Sequence, residues 1–256
     1  MSCPAEFDAL QAGTFARRVL ARGRAATVIA RFARSCYVAN DAGIACIGDA
    51  QLGGGPLNVS VAWLAALPAH GSAVRVQLAG ARHWKPKRAG RGANIARAIA
   101  ALDAIPGRGL FAVRDTHPAL HGLQRWVANG ARGRAPAGVP ALLGMGPGLT
   151  PAGDDLVGGA LIALRAVRRH ALAARLGAWA LRLAERRTSR ISGAHLACAA
   201  EGQGGEALHG LLHAVLSGRR ELAAEVAAID AVGHTSGWDA AAGAALALQA
   251  LRPPRR

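Results

Sequence analysis

Two segments, "GDDLVGGALIAL" (153–164) and "GWDAAAGAALAL" (237–248), constrain this chain more than any other feature. Both are runs of small and apolar residues at helical spacing, and both open with glycine and carboxylate. Aligned on Gly153 and Gly237, Asp155 matches Asp239, Gly159 matches Gly243 and Leu164 matches Leu248. The preceding threonines, Thr150 and Thr235, align with one residue fewer in the second copy. The spacing Asp-x-x-x-Gly sets the glycine one turn below the carboxylate on the same face. A helix with glycine there lets a neighbour come close. The two segments are therefore expected to be copies of one helix, packed with converging N-termini and two carboxylates in one place.

The rest of the second half also reads as helix. Leu, Ala and Val recur at helical intervals over 93–103, 117–129, 155–173, 175–187, 192–200, 205–217, 219–230 and 238–251. The first half has strand character instead: 25–32, 35–40, 43–48, 57–63 and 73–79 are short, rich in Val and Ile, and bounded by turn residues. In "VANDAGIA", the Asn40-Asp41-Ala42-Gly43 turn predicts a hairpin. The fold class expected is α+β, an N-terminal antiparallel β-rich part followed by a C-terminal Ala/Gly-rich helical domain. "NGARGRAPAGVP" (129–140) reads as a linker, and the boundary is drawn at or before it: 1–115 β-rich, 116–256 helical. Residues 81–94, "ARHWKPKRAGRGAN", read as an exposed basic loop.

The stretch "GMGPGLTPAGDD" (144–155) asks for more than a helix start. Thr150 as N-cap, Pro151 at the first helical position and Asp154 and Asp155 against the helix dipole account for part of it. Gly144, Gly146, Gly148 and Gly153 are left over, and a glycine-rich turn opening a helix suits an anion held by backbone N–H groups. Two aspartates beside it suit a cation or a ligand's own N–H donors. A ligand with an anionic end and an amide end would satisfy both; a purely structural cap is the competing reading.

Other candidates are weaker. "RRTSRISGAHLACAAEG" (186–202) offers Arg190, a planar fork for carboxylate or phosphate, and Ser192, against a simple hydroxyl-capped turn. Asn58, entering a strand after Gly53–Gly55, is a candidate to reach a ligand from the β-rich half, against a flexible turn. No phosphate-loop, zincin or nucleophile-elbow signature is present, and no Cys-x-x-Cys pair, so no metal site is expected, although Asp155 or Asp239 would be able to hold Mg²⁺. The net charge of +16 draws anions, but of 31 basic residues only Lys85 and Lys87 are lysine, a compositional bias. With 4% aromatic residues the chain is poor material for base stacking, and nucleic acid is not the expected partner. The longest apolar runs are about half of what a bilayer needs, and the first residues lack a signal-peptide layout, so a cytoplasmic protein without membrane contact is expected.

Taken together, "GMGPGLTPAGDDLVGGAL", "TSRISGAHLACAAEG" and "GHTSGWDAAAGAALAL", preceded by "GPLNVSV", resemble the family of the AllH-type subunit of oxamate carbamoyltransferase over about residues 25 to 251. The resemblance implies carbamoyl transfer between oxalurate with phosphate and oxamate with carbamoyl phosphate in bacterial allantoin (purine) degradation. It implies companion subunits, FdrA-like proteins among them, and no certain cofactor. Its motif matches fall on Gly146, Gly148, Thr150, Gly153, Asp154 and Asp155, and on His234, Thr235, Ser236 and Asp239. On this basis Asp154, Asp155, His234 and Asp239 are candidates for catalysis, with the remaining positions, Asn58, Arg190 and Ser192 for binding a small carbamoyl or carboxylate substrate. The alternative expectation is a non-catalytic subunit that binds a small anion or docks partners.

Overall fold

A computed structural model describes residues 4–62, 67–87 and 94–252. The chain divides into two compact units, up to Pro86 and from Lys87 onward. The first unit is built from β1 (Ala5–Gly13), β2 (Ala26–Arg31), β3 (Ser35–Asn40), β4 (Gly43–Gly48), β5 (Asn58–Val61), β6 (Ala73–Gln77) and β7 (Arg82–Trp84), with a short helix α1 (Thr14–Val19) after β1. The strands pair in the order β5-β4-β3-β2-β6-β1-β7, and β5 also pairs with β1, so six strands close on themselves and leave no free edge between them. β1 serves two sides by pairing β6 through Ala5–Asp8 and β5 through Ala9–Ala12. Val28, Val38, Ile47, Val59, Val74 and Val76 fill the interior.

The α+β order is as expected, with two corrections to the β-rich part. It is mixed rather than antiparallel, because β1–β6, β1–β7 and β4–β5 are parallel. β1 and β7 lie outside the strands read from the sequence, and β7 falls within the segment expected to be a basic loop. Trp63, the end of the expected 57–63 strand, and residues 88–93 of that loop lie outside the described residues. The hairpin is where the turn chemistry put it: Asn40 pairs with Gly43, and the Asn40 Oδ1 accepts from the Ala42 N–H at 2.9 Å.

The second unit is helical: α2 (Ile95–Asp103), α3 (Gly109–Val113), α4 (Pro118–Ala128), α5 (Ala152–Ala166), α6 (His170–Arg187), α7 (Arg190–Ala200), α8 (Glu206–Leu216), α9 (Ala223–Asp230) and α10 (Ser236–Gln249). α2 and α3 lie on this side of the division, upstream of the expected boundary at 115, because Ile99, Leu102 and Phe111 join the helical core. The segment 129–140 is no linker. Ala131, Ala135 and Val139 are buried in the same core, and the Trp126 Nε1 donates to the Arg132 carbonyl at 2.9 Å. At the centre lie α5 and α10, whose Leu156, Ala160, Leu164, Ala241, Ala244 and Leu248 are buried together. No helix among the described residues is long and apolar enough to cross a membrane.

Candidate functional site

The two glycine-bearing helices are packed as the matched spacing anticipates, and the contact is reciprocal. A Cβ at Gly159 would sit 1.8 Å from the Ala240 carbonyl oxygen, and one at Gly243 would sit 1.7 Å from that of Leu156. Ala240 follows Asp239 as Leu156 follows Asp155, so each helix presents the same glycine to the same place on its twin. Only glycine allows backbones this close.

The equivalence extends into the connections before the helices. Leu142 and Ile229 each accept from the N–H three residues on, Met145 and Val232, both at 3.1 Å. Met145 and Val232 then accept from the first glycine of the following helix, Gly153 at 3.0 Å and Gly237 at 3.2 Å. Those glycines press on the carbonyls of Leu142 and Ile229, where a Cβ would lie within 1.8 Å and 2.2 Å. The first connection is longer and carries Gly146 to Leu149 out to the surface. This geometry supports an internal duplication of a turn and helix.

It also corrects the expected anion cradle. Helix α5 begins at Ala152 with Pro151, not Thr150, in the capping position. The N–H of Gly153 is spent on Met145, and those of Asp154 and Asp155 on the Pro151 carbonyl at 2.9 and 3.1 Å. Gly153 is thus a packing residue with no N–H to offer a ligand. Gly146 and Gly148 are exposed at φ of 110° and 92°, and Gly148 has open space beside it.

The adjacent aspartates face different ways, as successive helical residues must. Asp154, 2% exposed, is fully engaged. Its Oδ1 accepts from the Gly144 N–H at 2.8 Å, and its Oδ2 accepts from the hydroxyls of Ser192, at 2.7 Å, and Thr188. Ser189 caps α7 by accepting from the Ser192 N–H at 3.0 Å and donates its own hydroxyl to the Leu149 carbonyl at 2.6 Å. These bonds tie the glycine-rich connection to α7. The Ser192 hydroxyl is buried in that knot rather than offered to a substrate, and Asp154 is anchored rather than poised to react. Arg190, in the first turn of α7, is exposed.

Asp155 points toward α10. Burial pushes its carboxyl up to about 8, the Ser236 hydroxyl pulls it back, and the charges of Asp239 and Asp154 raise it further. Asp239, 1% exposed, is raised by burial and pulled back by the Leu110 N–H and the Thr235 hydroxyl. The Leu110 N–H donates to its Oδ1 at 2.7 Å. One oxygen of each, Asp155 Oδ2 and Asp239 Oδ2, is buried with no hydrogen-bond partner among the described residues. Thr150 and Ser236 bring their hydroxyl oxygens to 3.5 Å beside them, which shows the helix N-termini converging. His234 lies exposed just before α10. Asn58 belongs to the first unit, where its amide donates to the Gly53 carbonyl at 3.2 Å. No group of three or more His, Cys, Asp or Glu suited to a metal occurs among the described residues.

The structure thus brings together Thr150, Asp155, Thr235, Ser236 and Asp239, and holds Asp154 and Ser192 in a separate knot. Sequence reasoning missed Leu110 and Gly109 as participants. The Pro-Gly-Arg-Gly run before Leu110 marks a turn, but nothing in it points to a carboxylate far along the chain.

Fold and site define an α+β chain whose twin helices bring together two carboxylates, a half-buried Asp155 and a buried Asp239. The family model for the oxamate carbamoyltransferase subunit AllH matches residues 142–248, somewhat less than half of the chain but spanning both twin motifs. The resemblance read from the sequence is shown over that segment. Comparison with curated proteins gives no match, and neither does comparison with solved structures.

Proposed function

We propose that the chain is a subunit of a carbamoyltransferase that interconverts oxalurate and phosphate with oxamate and carbamoyl phosphate in allantoin breakdown. The family match over 142–248 carries this reading, because it covers α5, α10 and the connections leading into both, and so both carboxylates. In the reaction, a phosphate oxygen attacks the carbamoyl carbon of oxalurate. The bond from that carbon to the oxamate nitrogen breaks, its electron pair stays on nitrogen, and nitrogen takes a proton. Asp155, raised to about 8, carries a proton at neutral pH and is suited to deliver it. Asp239 is suited to accept from a carbamoyl N–H. Gly146, Gly148 and Arg190, all exposed, are the groups to hold the anionic end, and His234 is a second proton carrier at the surface.

FdrA-like and other carbamoyltransferase subunits are the proposed partners, and the cytoplasm the proposed location. A second reading has support in Leu149 and Val232, apolar residues 38% and 42% exposed in the connections leading into the twin helices. On that reading the chain binds a small anion or docks partners without catalysing. Carbamoyl phosphate formation from oxalurate and phosphate, measured for the isolated chain and for the chain with co-expressed FdrA-like partners, separates the two. Turnover that Asp155→Asn abolishes supports catalysis by this chain. Turnover of the complex unaffected by Asp155→Asn and Asp239→Asn refutes it in favour of docking.

A further inference from the structure

The twin helices are alike, but their carboxylates are not in like surroundings. Asp155 has the Ser236 hydroxyl for company, and the charges acting on it are both negative, Asp154 on its own helix and Asp239 on α10. Asp239 has in addition a main-chain donor from a third element, the Leu110 N–H of α3 at 2.7 Å. That contact depends on the residue before it. Gly109 stands at φ +54°, and a Cβ there would lie 2.4 Å from Asp239 Oδ1 and 3.2 Å from the Thr235 Cβ. Of the cations nearest in sequence to α3, Arg108 pairs with Asp230 at 3.3 Å and Arg114 with Asp103 at 3.3 Å. Each of these carboxylates has a buried oxygen without a partner among the described residues, and the charge of Asp239 acts on Asp155, so the two do not both ionise at little cost.

We propose that Asp155 and Asp239 form a carboxylate pair holding one proton at neutral pH, with the Leu110 N–H fixing the charge on Asp239 and so leaving the proton on Asp155. Gly109 and Leu110 are positioning residues for that pair. The asymmetry gives the site one O–H donor and one anionic acceptor side by side. This matches the C=O and N–H of a primary amide or carbamoyl group and rejects a carboxylate in the same position. This last step rests on the carbamoyl reading above; the shared proton does not.

The test needs no ligand. In the full chain labelled with ¹³Cγ-aspartate, NMR titration from about pH 4 to about pH 10 follows each carboxyl, with assignments from Asp155→Asn and Asp239→Asn. Asp239 is expected to lose its proton first and Asp155 last, with the two midpoints separated. Leu110→Pro removes the N–H and is expected to raise the Asp239 midpoint by about one unit or more, while Leu110→Ala, which keeps the N–H, leaves it in place. If Leu110→Pro does not fold, Gly109→Ala displaces the same carboxylate, and the wild-type titration stands without any variant. Both carboxyls titrating in the ordinary aspartate range, Asp155 ionising first, or no response to Leu110→Pro would overturn the proposal; the family match behind the carbamoyl reading would stand, and an ordinary Asp155 titration would remove only Asp155 as its proton donor. Titration as expected without any binding of oxamate would sink the carbamoyl reading alone.

Discussion

Replacing Asp155 by Asn should change how stability depends on pH. The Asp155 carboxyl moves from an ordinary 3.8 in the unfolded chain to about 8 in the folded one. The folded value is the higher, so between these limits the native state keeps a proton that the unfolded state has released. Stability from this group is therefore fully present below about pH 4 and falls as pH rises toward 8. At about 1.4 kcal/mol per unit the ceiling is about 6 kcal/mol, and water penetration around a charged carboxylate reduces it to about 3 kcal/mol. Asparagine keeps the shape and the hydrogen bond with Ser236 but cannot ionise. Urea denaturation followed by circular dichroism at helical wavelengths, run at about pH 5, 7 and 9, measures the difference. The variant should match wild type within about 1 kcal/mol at the lowest pH and exceed it by about 3 kcal/mol at the highest. Parallel pH profiles for the two proteins would refute the reasoning, because they would mean Asp155 ionises normally.

The packing account makes sharper demands on glycine. Gly159→Ala and Gly243→Ala, each driving a methyl into a carbonyl under 2 Å away, should each cost about 3 kcal/mol or more by urea denaturation. Gly158→Ala, whose new Cβ would meet only the Ala199 Cβ at 3.7 Å, should instead gain about 0.5–1 kcal/mol. Asp154→Ala strands the Gly144 N–H and the Thr188 and Ser192 hydroxyls and should cost about 3–4 kcal/mol in the same assay, whereas Ser192→Ala should cost about 1 kcal/mol. By calorimetry, affinity for oxamate should fall as pH rises through about 8, where Asp155 gives up its proton, and Asp155→Asn should bind with a flatter pH profile.

Much of this site was legible because its spacing is repeated. The pairs Asp155–Gly159 and Asp239–Gly243 predicted that two helices would meet through glycine beside their carboxylates, and they do. What escaped was of two kinds. Short elements carry too few residues to show a period: β7 spans three residues and α3 five, and α3 supplies the donor that distinguishes Asp239 from Asp155. Adjacent residues also differ in role only through what faces them. Asp154 and Asp155 are equivalent as letters, but about 100° of helical rotation turns one toward the hydroxyls of Thr188 and Ser192 and the other toward α10. The glycines misled for a related reason. Gly153 looks like a ligand-binding glycine, and its tight environment is the Leu142 carbonyl. The apparent linker at 129–140 misled through composition, since Ala131, Ala135 and Val139 supply core contacts between its turns.

The claim that the carboxylate pair receives an amide is tested most directly by calorimetric titration of the full chain at neutral pH with oxamate and oxalate, in wild type and Asp239→Asn. The two ligands differ in replacing an amide by a carboxylate. The account predicts that wild type binds oxamate at least about tenfold more tightly than oxalate, about 1.4 kcal/mol, and that Asp239→Asn erases the preference. Equal affinity for both ligands in wild type, or a preference that survives Asp239→Asn, would contradict it.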